Sequence, residues 1–256
     1  LAEIKYQIDL WADRSLEAES QLLLPHKYGY AGNWKFQAEN GVDGYHAGFV
    51  HESAFSVFSV AGVTRYINRS YINPDGITRG FPGGHTTLEG GFDEARGCAK
   101  SLPELFEDYL SKLTQRHGKE RAEEVVSARH LFIFPNVFLF DDLVRVIQPI
   151  SLEDTEVYSH PFRLGGVPQE FNARRLYEVT RQLSSTGLVN PADMEMFAAN
   201  QTGLHSSMEW LLLCRGMELE TVLPSGERVG AQSDETPQRA FYRGWHHSMT
   251  GNGGGI

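Results

Sequence analysis

The run from Leu131 to Ile150 limits what this chain can fold into more than any other. It reads Leu131-Phe132-Ile133-Phe134, Pro135-Asn136, Val137-Phe138-Leu139-Phe140, Asp141-Asp142, then Leu143 onward. Short apolar, β-branched and aromatic runs separated by two-residue turns are the pattern of buried, antiparallel strands. Asp141 and Asp142 read there as turn residues. Other strands are expected from Leu22 to Tyr30, where Pro25 argues against helix, and from Glu156 to Arg163. Val63–Ile72 and Ile77–Phe81 flank Asn73-Pro74-Asp75-Gly76 and predict a hairpin, and Thr221–Val229 predicts another around Pro224-Ser225-Gly226.

Helical spacing marks Leu1 to Leu10, Gln169 to Ser184, and Gln238 to Met249. A capping box, Ser101-Leu102-Pro103-Glu104, opens a helix through Leu105, Phe106, Tyr109, Leu110 and Leu113 that Gly118 breaks. Helical character resumes from Glu120 to Arg129, whose charges read as a solvated face. Pro82-Gly83-Gly84 and Gly90-Gly91 bracket His85 to Glu89, predicting an irregular loop in which His85 is a loop or pocket histidine. The glycines lack the Lys and spacing of a phosphate loop. Strand-rich and helical blocks together predict the α+β class, an antiparallel sheet with helices against it.

At 256 residues the chain can bury one large core. A net charge of −10 argues against nucleic acid or an anionic membrane as partner. No apolar run approaches the length of a membrane span and no signal-peptide pattern opens the chain. Cys98 and Cys214 are too few for a disulfide framework, which suits a reducing cytoplasm. Nor do they have the close Cys/His spacing that a Rieske [2Fe–2S] centre needs, since no C-x-H or C-x-x-H occurs.

Candidate chemistry concentrates between Glu39 and His51. His46 and His51 are five residues apart, and on a continuous helix their rings would point about 140° apart. A shared ion therefore needs the helix to end or loosen between them, and Gly48 is placed for that. Asp43, three before His46, can accept the ring N–H that a metal does not use. Taken singly, each histidine reads as a partly buried polar residue and Asp43 as a solvated one. H-x4-H is not the H-E-x-x-H of zinc proteases.

The sequence Asn33-Trp34-Lys35, Ala38-Glu39-Asn40-Gly41, Asp43-Gly44-Tyr45-His46 and His51 resembles the iron-binding segment of the large (α) subunits of Rieske non-haem iron ring-hydroxylating dioxygenases, closest to the benzoate and anthranilate branch. The resemblance implies that His46 and His51 bind a mononuclear Fe(II), that Asp43 bridges toward the Rieske-cluster histidine of a neighbouring subunit, and that the Asn40 amide lies near the iron. It extends to Gly187-Leu188, Pro191, Asp193, Glu195, Phe197 and Gln201, the segment that carries the carboxylate ligand. Spacing alone makes Asn190 an N-cap, Pro191 the first helical residue and Asp193 a first-turn acid facing the helix dipole. The resemblance instead makes Asp193 the third iron ligand, with Glu195 the fallback, because Ala192 stands where the branch often has another Asp.

The resemblance also implies a helix-grip (START/Bet v1-like) catalytic domain over residues 1–256, a curved antiparallel sheet around a long helix, with the N-terminal Rieske domain outside these residues. The implied activity is addition of O2 to an aromatic acid to give a cis-dihydrodiol. NADH-derived electrons would arrive from a reductase or ferredoxin through the Rieske cluster, in a cytoplasmic α3 or α3β3 oligomer. A substrate carboxylate would call for an Arg or Lys, and Arg65, Arg69 and Arg79 are nearest in sequence to the site. Salicylate-type monohydroxylation, a helix-grip binding module without metal chemistry, and a zinc hydrolase at the same three residues remain open at this point.

Overall fold

The computed structural model describes residues 1–17, 19–60, 75–91, 102–207 and 209–251. Among them the backbone of the fold is a ten-stranded antiparallel sheet. In chain order the strands are β1 (Gln21–Leu22), β2 (His26–Ala31), β3 (Ile77–Gly80), β4 (Thr86–Gly91), β5 (Ala128–Ile133), β6 (Val137–Leu139), β7 (Leu143–Pro149), β8 (Asp154–Arg163), β9 (Thr221–Val222) and β10 (Arg228–Ala231). The spatial order is β1-β8-β7-β6-β5-β4-β3-β10-β9, and β2 follows β1 along the same edge of β8. The β5–β6–β7 meander is the one expected from Leu131 to Ile150. Asp141 and Asp142 do sit in its turn, and each also holds a buried arginine: Arg14 at 2.6 Å and Arg175 at 2.7 Å.

One expectation needs correction. His85 to Glu89 do not form a loop: Thr86–Gly91 is a central strand, paired with β3 and β5, and its register slips only at Glu89/Gly91. The flanking glycines mark the turn before the strand and the irregularity at its end. The expected hairpin partner of β3, Val63 to Ile72, lies outside the described residues, as do Arg65, Arg69, Cys98 and Ser101. Both edges of β3 are occupied by β4 and β10.

The helices bearing on the site are α1 (Lys5–Ala12), α2 (Trp34–Asn40), α3 (Ala47–Val50), α4 (Glu52–Val60), α5 (Pro103–His117), α6 (Lys119–Val126), α7 (Gln169–Leu183), α8 (Asn190–Gly203) and α9 (Thr236–Thr250). α9 lies across β3, β4 and β10, and α2 lies against β7 and α9. Ala38, Val42, Phe132, Phe138, Phe140, Leu143, Ile147, Val179 and Phe241 fill the space between. This is the α+β, helix-grip arrangement, a sheet holding a long C-terminal helix. A second cluster, around Leu10, Tyr109, Leu113, Val125 and Phe162, seats α1, α5 and α6.

Candidate metal centre

Two helix ends and a turn build the centre. The Asn33 side chain caps α2 by accepting from Lys35 N at 3.2 Å, while Asn33 N donates to Gln201 Oε1 of α8 at 3.0 Å. The start of α2 is thereby tied to α8. At the other end Gly41 lies on the Phe138 ring, where a Cβ would stand 2.2 Å from Cζ, so only glycine fits. The turn after it is held by Asp43, whose Oδ1 accepts from Tyr45 N at 2.7 Å and His46 N at 2.9 Å. Gly44 presses on the backbone of Gln232, with a Cβ position 2.0 Å from its carbonyl oxygen.

His46 then precedes α3, and His51 ends it with φ −104° and ψ 20°. The helix therefore breaks at His51, and Gly48 lies inside the short helix. The departure of His51 from helical angles, before α4 begins, replaces the 140° divergence of a continuous helix. The two rings stand 5.3 Å apart at 79° to one another.

Asp193 enters from α8. That helix begins at Asn190, one residue earlier than a capping Asn requires, and Asn190 makes no capping bond. Asp193 is 6 % exposed. Its Oδ1 lies 3.2 Å from His51 Nε2, 3.7 Å from His46 Nε2 and 3.0 Å from the Asn40 Nδ2 that donates to it. Asn40 Nδ2 also donates to His46 Nε2 at 3.1 Å. One donor atom each from His46, His51 and Asp193 falls within a 4.8 Å group. Glu195, one helical step on, is exposed and outside the group.

These residues fit a divalent ion. Donors about 2.1 Å from one ion and cis to each other stand about 3 Å apart, close to the separations here. Asp43 Oδ1 is 3.5 Å from His46 Nδ1, which favours the proton on Nδ1 and leaves the Nε2 lone pair facing Asp193. The His46 Nδ1 is buried against Asp43, and the His51 Nδ1 is buried without a hydrogen-bond partner among the described residues. Burial alone would lower the His46 pKa, but Asp43 and Asp193 outweigh it and the net shift is upward. Burial likewise works to raise Asp43, yet His46 and the two backbone N–H groups hold it below the usual range.

Glu39, one residue before Asn40, is pushed up to about 7, first by burial. The Tyr242 hydroxyl donates to it. His85 takes no part: its Nδ1 accepts from Phe134 N at 2.9 Å. Arg79 is committed to Glu89 at 2.9 Å and Glu227 at 2.6 Å. The sequence reading passed over Arg145, although a charged residue at an inward phase of the alternating strand Leu143–Pro149 was the available signal.

A family model described as "Ring hydroxylating alpha subunit (catalytic domain)" matches residues 15–251. The chain is 26% identical over 239 residues to the anthranilate 1,2-dioxygenase large subunit of Acinetobacter baylyi, covering 88% of this chain and 51% of that one. It is 31% identical over 206 residues to the 2-halobenzoate 1,2-dioxygenase large subunit of Burkholderia cepacia, covering 74% and 42%. The chain thus spans about half the length of the curated relatives it matches. Its fold is similar to naphthalene 1,2-dioxygenase from a Rhodococcus species bound to indole, with a TM-score of 0.77 at 20% identity over 98% of this chain and 61% of that one.

Proposed function

The chain belongs to the ring-hydroxylating α-subunit family, in its catalytic domain, and on that premise we propose that it is the iron-holding part of a terminal oxygenase that adds both atoms of O2 to the ring of an aromatic acid, giving a cis-dihydrodiol. The observation that carries this is the convergence of His46, His51 and Asp193, whose ligand atoms fall within 4.8 Å of one another. The family uses a mononuclear Fe(II) and a Rieske [2Fe–2S] cluster. An Fe(II) held by two imidazoles and one carboxylate keeps positions open for O2 and supplies its activation.

The chain's own residues prepare that site. Asp43 fixes the His46 ring from behind and holds the turn that delivers it. Asn40 donates to Asp193 and so orients the one carboxylate of the set. The acid substrate class follows the benzoate-type relatives. Electrons come from NADH by way of a reductase or ferredoxin and reach the site past Asp43 from the Rieske cluster of a neighbouring subunit in an α3 or α3β3 assembly. The enzyme is placed in the cytoplasm; no described helix is long and apolar enough to cross a membrane.

The test is turnover of benzoate by the complete enzyme under 18O2, with NADH and a reductase. Two labelled oxygens on one cis-diol product are expected. A singly labelled phenol would move the reading to monohydroxylation, and absence of any oxygenated aromatic acid would overturn it.

A further inference from the structure

A cation buried on β7 has no ion-pair partner among the described residues. Arg145 sits on β7, 3% exposed. Its guanidinium stands 5.0 Å from the centre of the Phe140 ring and 6.0 Å from that of Tyr28. Nε and Nη2 make no hydrogen bond, and no carboxylate among the described residues is within ion-pair reach. A buried guanidinium left this way is strongly unfavourable. Burial presses the pKa of the neighbouring His26 down, against its hydrogen bond with the Leu183 carbonyl, and the Arg145 charge adds to the lowering.

The surroundings repeat the shortage. Ser159 stands opposite Arg145 on β8, and its Oγ is buried beside the Tyr28 hydroxyl. Gln37 Nε2 on α2 is buried without a hydrogen-bond partner among the described residues, and the Asn190 amide on α8 is buried beside Tyr28. The Gln37 amide oxygen is already taken, accepting from the Tyr28 hydroxyl at 3.0 Å. Tyr28 is the common neighbour of Arg145, Ser159 and Asn190. The capacity left over is mostly donor capacity: the guanidinium and the Gln37 amide N–H, with the Asn190 amide and the Ser159 hydroxyl engaged at Tyr28 beside them. Donors without acceptors suit an anion, and a guanidinium edge suits the two oxygens of a carboxylate.

Position adds the rest. Gln37 lies three residues before Asn40 on α2, and Asn190 three before Asp193 on α8, so each shares a helix face with a member of the metal centre. The two amides are thus roughly 4.5 Å along their helices from it. A carboxyl group is one bond from its aromatic ring, so an acid held there brings its nearest ring carbons up to the centre.

We propose that Arg145, supported by Gln37, Asn190 and Ser159, anchors the carboxylate of an aromatic-acid substrate and turns its ring toward His46, His51 and Asp193. This rests on the oxygenase reading and adds the residue that selects acids over neutral rings. Calorimetry on the iron-loaded protein tests it, with benzoate as probe, benzamide and toluene as neutral comparisons, and chloride and inorganic phosphate as free anions. Arg145→Met should weaken benzoate by about 10- to 150-fold, leave the neutral rings unchanged and keep its iron. Arg145→Lys should recover part of the loss, because it restores charge without the forked geometry. Undiminished benzoate affinity in folded, iron-replete Arg145→Met overturns the proposal. Should that variant not fold, Arg145→Lys decides, and a benzoate-over-benzamide preference equal to wild type overturns it. Phosphate or chloride binding through Arg145 as tightly as benzoate also overturns it, in favour of a structural anion site. A wild-type protein that takes up no iron would instead sink the oxygenase reading, while the benzoate arms still decide the fate of Arg145.

Discussion

Replacing Asp193 with alanine separates a metal ligand from a helix-start acid. If the residue only faces the dipole of α8, its loss costs about 0.3–1 kcal/mol and nothing else. The structure asks for more. Asp193 Oδ1 accepts from the Asn40 amide at 3.0 Å and lies between the two Nε2 atoms. Without metal, removing this acceptor costs about 1–3 kcal/mol, at the lower end because Asn40 still donates to His46. With metal the loss grows. Four-ligand structural zinc sites bind with about 10–16 kcal/mol, or about 2.5–4 kcal/mol per ligand, so iron affinity should fall by about two to three orders of magnitude. Iron per chain after anaerobic loading and desalting measures this directly. Thermal unfolding gives an independent reading, since iron at 100 times its Kd should add about 2.7 kcal/mol to wild type and little to the variant. Glu195→Ala is the control, being exposed, and should match wild type. Full iron in Asp193→Ala, or its loss in Glu195→Ala, would refute the reasoning.

Asp43→Asn keeps an oxygen to accept from Tyr45 N and His46 N but removes the charge behind the His46 ring. It should leave the fold and most of the iron in place and slow reduction of the iron by the Rieske cluster, read as single-turnover product; unchanged electron delivery would remove Asp43 from that role. Glu39, with its pKa raised to about 7, should contribute stability that is complete below pH 4.5 and is lost as pH rises through 7. The span is roughly 3 kcal/mol, and Glu39→Gln should flatten that part of a urea-midpoint profile against pH. Gly44→Ala would set a methyl 2.0 Å from the Gln232 carbonyl oxygen and should cost about 1–3 kcal/mol in denaturant unfolding, or more if the turn cannot move.

The β5–β6–β7 meander was legible because apolar runs and tight turns leave few alternatives over that length. Two imidazoles and an acid were legible as residues, but spacing alone favoured a dipole role for Asp193, and only the resemblance pointed to a ligand. The break at His51 was misplaced at Gly48, since backbone propensity says where a helix can loosen and the packing of Gly41 on Phe138 and Gly44 on Gln232 decides where it does. Thr86–Gly91 was hidden by its flanking glycines, which signal a turn and a strand irregularity as readily as a loop. Arg145 went unremarked because one charge in a β-branched run reads as an outward residue until the burial of its strand is known.

His51 and Asp193 meet across more than half the length of the chain. During synthesis the two imidazoles leave the ribosome long before the acid that completes their set. A nascent chain, or one truncated before residue 193, holds a pair of nitrogens with weak claim on any ion. Iron capture therefore waits for α8 to dock on β2, and metal content becomes a stamp that late assembly has succeeded.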